Sequence, residues 1–154
     1  MKRFVRQTLM VTFFFTATLL RPSYADGVEY SVEGLQGIDI SKLCVSSGLR
    51  GGSADVVVVF ENTSNEMVFL DGISSDASSS GELFFKDLAD SAVTKSGFGV
   101  AREEVLNLSR SHIGARLTGL KEDLEPGDHP LVYLNFRNGT LETAAHVLPK
   151  GQCR

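Results

Sequence analysis

His112, His129 and His146 are the imidazoles of this 154-residue sequence, and Met67, Cys44 and Cys153 are its other notable metal-binding or redox-active side chains. Imidazole is the commonest protein ligand for copper and zinc, and a methionine thioether favours Cu(I). Either ion needs several donors converging on one point. Local spacing provides no such convergence: 17 residues separate each histidine from the next, and 109 separate the cysteines. Taken singly, each histidine reads as a surface or strand-end imidazole. Two distant cysteines are too few for a thiolate metal centre, so their role turns on the compartment the chain reaches.

Enzyme chemistry has less to build on. The sequence has no Gly-x-Ser-x-Gly elbow, no His-Glu-x-x-His, no Gly-Lys-Ser/Thr loop and no Cys-x-x-Cys. Gly97-Phe98-Gly99 begins like a dinucleotide turn but lacks the third glycine and a βαβ setting. The adjacent acids Glu103-Glu104 and Glu122-Asp123 would point to opposite sides of a strand, so neither pair makes a carboxylate dyad. They read as solvated loop charge. No catalytic residue is assigned, and the chain is expected not to be an enzyme. Asn62, Asn107 and Asn138 fit the N-glycosylation acceptor pattern, which matters only in a eukaryotic source.

The N-terminus sets the compartment. Lys2, Arg3 and Arg6 precede an apolar run of 12 residues, Leu9 to Leu20, ended by Arg21-Pro22. A bilayer span needs about 20 residues, whereas a positive head and a short apolar run make a secretory leader. Ser23-Tyr24-Ala25 supplies small residues before a cut. Cleavage after Ala25 is therefore expected, giving a periplasmic or secreted domain over residues 26–154 with no stable membrane anchor. Met1 and Met10 leave with the leader. So do four basic side chains: the 15 basic residues fall to 11 against 19 acidic, a net charge of −8. That acidic body is a poor match for nucleic-acid phosphates or anionic lipid. In an oxidising compartment Cys44 and Cys153 are expected to form a disulfide, which the chain-entropy model values at about 4–5 kcal/mol.

The elements that must position these residues read as β. Hydrophobic residues make up 42% of the chain and aromatics 8%, with no Trp and 15 Gly, which argues against a helical bundle. Ile38-Asp39-Ile40 alternates, and Asp55 to Phe60 is a β-branched run too short for a typical helix. Asn62 to Asn65 is a turn cluster, Met67 to Leu70 resumes extended structure, and Asp71-Gly72 reads as another turn. Asp76 to Gly81 is expected to be a polar loop before a strand at Glu82 to Phe85. Gly99 to Leu108 is the one plausible helix, and its Val105-Leu106-Asn107-Leu108 end competes as strand. Ile113 to Leu120 and Leu131 to Phe136 are strands, separated by the turn Glu125-Pro126-Gly127-Asp128. Asn138-Gly139 is the strongest hairpin signal, with Thr140 to Leu148 as its return strand. About eight short strands with regular turn signals predict one all-β antiparallel sandwich or Greek-key barrel.

The order of these segments resembles a known family. Ile38-Asp39-Ile40-Ser41, the apolar strand running into Glu61 to Glu66, and the small-residue segment Gly72 to Ser75 look like the opening of the periplasmic PCu(A)C-type copper chaperones. Arg116-Leu117-Thr118-Gly119-Leu120, Leu124, Gly127-Asp128 and Leu131, Leu134 and Phe136 are similar to that family's closing hairpin. The resemblance spans about residues 38 to 148.

It implies a cupredoxin-like sandwich that carries Cu(I) on His and Met side chains towards the copper centre of cytochrome oxidase. The ligands themselves are missing here. The family's first His falls at Phe84 or Phe85, its next Met within residues 92–98, and its His-x-Met at Gly114 and Arg116. Phe offers no lone pair, and Arg sets a permanent positive charge where a cation would sit. His112, two residues before Gly114, is the remaining candidate metal ligand on that strand. The resemblance thus implies a degenerate copper-chaperone-like protein with a periplasmic partner in copper or cytochrome oxidase assembly. The alternative is a structural or interaction β-sandwich that kept only the fold.

Overall fold

The computed structural model describes residues 35–86, 91–94, 96–110 and 112–154. The expected leader over residues 1–25 lies outside them. Among the described residues eleven strands follow in order: β1 Ile38–Ser46, β2 Ser53–Asn62, β3 Val68–Ser75, β4 Ser78–Lys86, β5 Ser91–Val93, β6 Phe98–Val100, β7 Val105–Asn107, β8 Ile113–Leu120, β9 Leu131–Phe136, β10 Gly139–Ala144 and β11 His146–Leu148. One sheet runs β11-β1-β2-β8-β4-β5, with β7 also paired to β2; the other runs β10-β9-β3-β6. Every pairing is antiparallel except that of β11 with β1, which is parallel. The all-β sandwich expected from the sequence is present.

Period-two alternation explains which face each strand buries. On β2, Ala54, Val56, Val58 and Phe60 point into the sandwich and are almost wholly buried, while Asp55, Val59 and Glu61 point out. Leu70 and Ile73 of β3 and Val132, Leu134 and Phe136 of β9 meet them from the other sheet. The Phe60 and Phe136 rings join the two sheets edge to face at 5.4 Å. Burying each such side chain contributes roughly 1.5–3 kcal/mol.

Four expectations change in the structure. Asp71-Gly72 does not end a strand: β3 continues through it, and a register shift between Leu70 and Gly72 takes up the extra residue as a bulge. The polar loop expected from Asp76 to Gly81 shrinks to a turn at Asp76-Ala77, because Ser78, Ser80 and Gly81 pair with β8. Between residues 99 and 108 strand wins over helix, with β6 and β7 flanking a turn in which Glu103 takes φ 61°. Finally, Thr140 to Leu148 is two strands. The chain changes sheets at buried Ala145, so β10 stays beside β9 while β11 crosses to β1.

One glycine makes the sheet-to-sheet passage possible. A Cβ on Gly81 would run into the Ile73 carbonyl, so β3 and β4 cross at a distance that only glycine permits.

Candidate functional site

Strand register brings together the positions where the resemblance places copper ligands. β4 and β8 pair Phe84 with Gly114 and Glu82 with Arg116, and β2 and β8 pair Asp55 with Arg116. Leu83, next to Phe84, belongs to the core, so Phe84 faces the outer side of the larger sheet. Phe85 points the other way and meets Phe98 edge to face at 5.3 Å. Phe84, and not Phe85, therefore stands over Gly114.

No ligand atom occupies this convergence. The Phe84 ring is only 4% exposed, with the Arg116 guanidinium 5.1 Å and the Lys86 ammonium 5.8 Å from its centroid. Arg116 Nε donates to Asp55 Oδ1 at 2.8 Å. Both partners of that ion pair are about half exposed, so it adds at most about 1 kcal/mol. A Cβ on Gly114 would lie 2.7 Å from Phe84 Cζ and 2.8 Å from Lys86 Cε, so the ring fills the space over the glycine. A shallow depression of about 110 Å³ lies alongside, lined in part by Asp55, Lys86, Ser109, Gly114 and Arg154. The arrangement packs two cationic side chains over one aromatic ring. It cannot coordinate Cu(I) in the family's manner, because none of Phe84, Gly114 and Arg116 has a free lone pair to give.

His112 sits in the turn just before β8, exposed, with its carbonyl accepting from Lys86 N–H at 2.9 Å. Among the described residues, no group of three or more His, Cys, Asp or Glu side chains could hold a metal ion.

The other two histidines do meet. Ala145 N–H donates to the Pro130 carbonyl and Val147 N–H to the Asp128 carbonyl, so residues 128–130 run antiparallel to 145–147. His129 and His146 oppose each other between those bonds, at the narrow non-hydrogen-bonded position where facing side chains come closest. Their ring centroids are 4.6 Å apart at an interplanar angle of 72°, and both are exposed. Sequence reasoning treated them as single imidazoles, and no signal in either segment announces the pairing.

Cys44 and Cys153 form the expected disulfide, with Cα atoms 5.8 Å apart. The bridge lies on the outer face of the larger sheet, packed on Val57, Val59 and Leu148. Lys42 Nζ, also on β1, donates to the Arg154 carbonyl. The C-terminal segment is thus fastened across β1 and β2.

The remaining candidates have structural roles. Glu104 accepts from Ala101 N–H, Glu103 pairs with Arg102, and Asp123 accepts from Arg50 N–H. Each stabilises a turn, and no dyad forms. Asn62 is fully buried, so its acceptor motif cannot be glycosylated in the folded protein. Asn107 Oδ1 accepts from both the N–H and the hydroxyl of Ser109, while Asn138 is exposed at the β9–β10 hairpin.

No family model matches the sequence, and no curated protein matches it significantly. Solved structures do match. The apo PCuAC domain from PmoF1 aligns with a TM-score of 0.64 at 17% identity, covering 79% of this chain and 99% of that one. The copper-bound PCuAC domain from PmoF2 aligns at 0.63 and 17%, covering 79% and 98%. Apo-DR1885 from Deinococcus radiodurans aligns at 0.59 and 18%, covering 97% and 100%. The sandwich described above, with its C-terminal strand returned to β1, is the fold of a PCuAC domain.

Proposed function

We propose that this is an exported, periplasmic, copper-chaperone-like protein that acts by binding a partner in copper handling or respiratory-oxidase assembly, without catalysis. The observation that carries the reading is the Phe84–Gly114–Arg116 convergence on a PCuAC fold. The strands that would gather a Cu(I) site are in register, and their donor positions hold an aromatic ring and an ion-paired cation. Two of the matched structures are described as copper-bound or CuI forms, which supports a copper-related ancestry for the fold. The residues 1–25 pattern supports export, and N-terminal sequencing of the secreted form should begin at Asp26.

Cu(I) titration under reducing conditions, comparing the native protein with His112→Ala, tests the metal arm of this reading. Submicromolar Cu(I) binding lost in His112→Ala supports a rebuilt site and retained metal handling. Absence of Cu(I) binding sinks metal handling and leaves the second reading, an interaction sandwich that kept only the fold. The Arg116–Asp55 ion pair favours that second reading, since it fixes a positive charge where a cation would enter.

A further inference from the structure

We propose that His129 and His146 form a two-imidazole chelate for a divalent late first-row transition metal, with copper(II) preferred over zinc(II). The proposal makes no use of Phe84, Gly114, Arg116 or His112, and it stands whether or not the protein handles Cu(I). Two strands, β1 and β2, separate β11 from β8, so this pair is a different place on the sheet from the convergence described above.

Geometry carries the inference. With metal–nitrogen bonds of about 2.0–2.1 Å, two imidazoles bound to one ion at roughly 90–110° have ring centroids about 4.5–5 Å apart. The His129–His146 spacing of 4.6 Å falls in that interval. A linear two-coordinate arrangement, the form a bis-imidazole Cu(I) would take, needs centroids about 6 Å apart by the same bond lengths. That separation fits adjacent positions of a tetragonal or tetrahedral centre and not the opposite positions of a linear one. Both rings are exposed, so water can fill the remaining positions. For nitrogen and oxygen donors, affinity peaks at copper(II) along the divalent series.

The backbone under the rings is held in place, which reduces the cost of organising the site. Pro126 and Pro130 fix φ on either side of the turn. Gly127 N–H donates to the Val147 carbonyl at 3.0 Å, Asp128 N–H to the Glu125 carbonyl at 3.0 Å, and Glu125 N–H to Asp128 Oδ2 at 2.8 Å. On the other strand, His146 is the register partner of Cys44, whose disulfide locks β1 to the C-terminal segment, and Val147 beside it is buried in the core. Two protonated imidazoles directly opposite each other would repel. A shared divalent ion needs both rings neutral and exploits the same closeness.

Copper(II) titration of the purified protein by calorimetry and by electron paramagnetic resonance tests the proposal. The expected result is one ion per chain, with nitrogen couplings from two imidazoles. His129→Ala and His146→Ala should each weaken binding by at least about tenfold, the smallest loss that even an outer-shell change produces. Each should also leave couplings from a single imidazole. His112→Ala should change nothing. Zinc(II) should bind at the same pair more weakly, shifting both imidazole resonances together. Because both side chains are exposed, circular dichroism of the variants should match the native protein. No binding overturns the proposal. So does binding that survives both substitutions with its nitrogen couplings intact, or tighter binding of Cu(I) than of copper(II) at this pair. The Cu(I) reading turns on His112→Ala, which serves here only as the unaffected control, and the copper(II) reading turns on the His129 and His146 variants, so the two readings fail separately.

Discussion

Phe84 lies directly across from Gly114 in the β4–β8 ladder, and its ring takes the volume that any side chain at residue 114 would need. Gly114→Ala should therefore destabilise the protein by about 1–3 kcal/mol through overpacking. Phe84→Ala should cost about 3 kcal/mol by removing a nearly buried ring. In the double variant the glycine substitution should become almost neutral, a coupling of about 1–2 kcal/mol. Urea unfolding of the four proteins measures it, and additive effects would show that the ring is not what keeps residue 114 small.

Replacing both Cys44 and Cys153 with Ala releases a cross-link between residues 109 apart. The chain-entropy model gives a loss of about 4–5 kcal/mol, reduced by any structure left in the unfolded chain. Denaturation of the native protein with and without reductant should show the same drop. Two thiols that react with an alkylating agent in the native, unreduced protein would contradict the bridge.

Asn62 is fully buried and uses both ends of its amide. Nδ2 donates to the Glu66 and Val100 carbonyls at 2.7 and 3.0 Å, and Oδ1 accepts from Ser64 N–H and Oγ at 3.0 and 2.7 Å. Asn62→Ala should cost about 1–3 kcal/mol, since it leaves the buried Val100 carbonyl without its donor and unties the turn at residues 64–66. Asn62→Asp should cost at least as much, because a carboxylate would face two carbonyls. Thermal denaturation reads both, and a near-native midpoint for Asn62→Asp would refute the network.

Tyr133 OH donates to Asp76 Oδ2 at 2.9 Å. That hydrogen bond, followed by partial desolvation and the charges of Asp76 and Glu142, holds the phenol above its ordinary pKa. A folded-state pKa above the unfolded one means the contact contributes in full below the ordinary phenol range and is lost as pH rises through the raised value. Asp76→Ala should shift the phenolate absorbance midpoint downward, and an unchanged titration would show that the two groups do not interact in solution.

Much of the sandwich is legible in short-range pattern. Asp55 to Phe60, Ile113 to Leu120 and Leu131 to Phe136 are strands because β-branched and apolar residues there leave no helical stripe, and the hairpin expected at Asn138-Gly139 forms one residue earlier, with Arg137-Asn138 as its turn and Gly139 already paired with Phe136. Errors gathered where tertiary pairing outweighed local composition. Asp71-Gly72 has turn chemistry, yet β9 and β6 hold both sides of β3 and the excess residue becomes a bulge. The serines from Ser78 to Ser80 look like loop, yet β8 supplies their backbone partners.

By itself the sequence determined where strands and turns could form, which faces of them were apolar, that residues 1–25 have the pattern of a leader, and that its two cysteines should pair in an oxidising compartment. These follow from side-chain periodicity and composition, which act over a few residues. Only the tertiary structure decided which strands became neighbours. It set Phe84 against Gly114 and Arg116, sent β11 across to β1 at Ala145, and placed His129 against His146. Hydrogen-bond register joins residues far apart in the chain, and a shift of one residue reverses every face. These side-chain arrangements therefore exist only once the strands that carry them have paired.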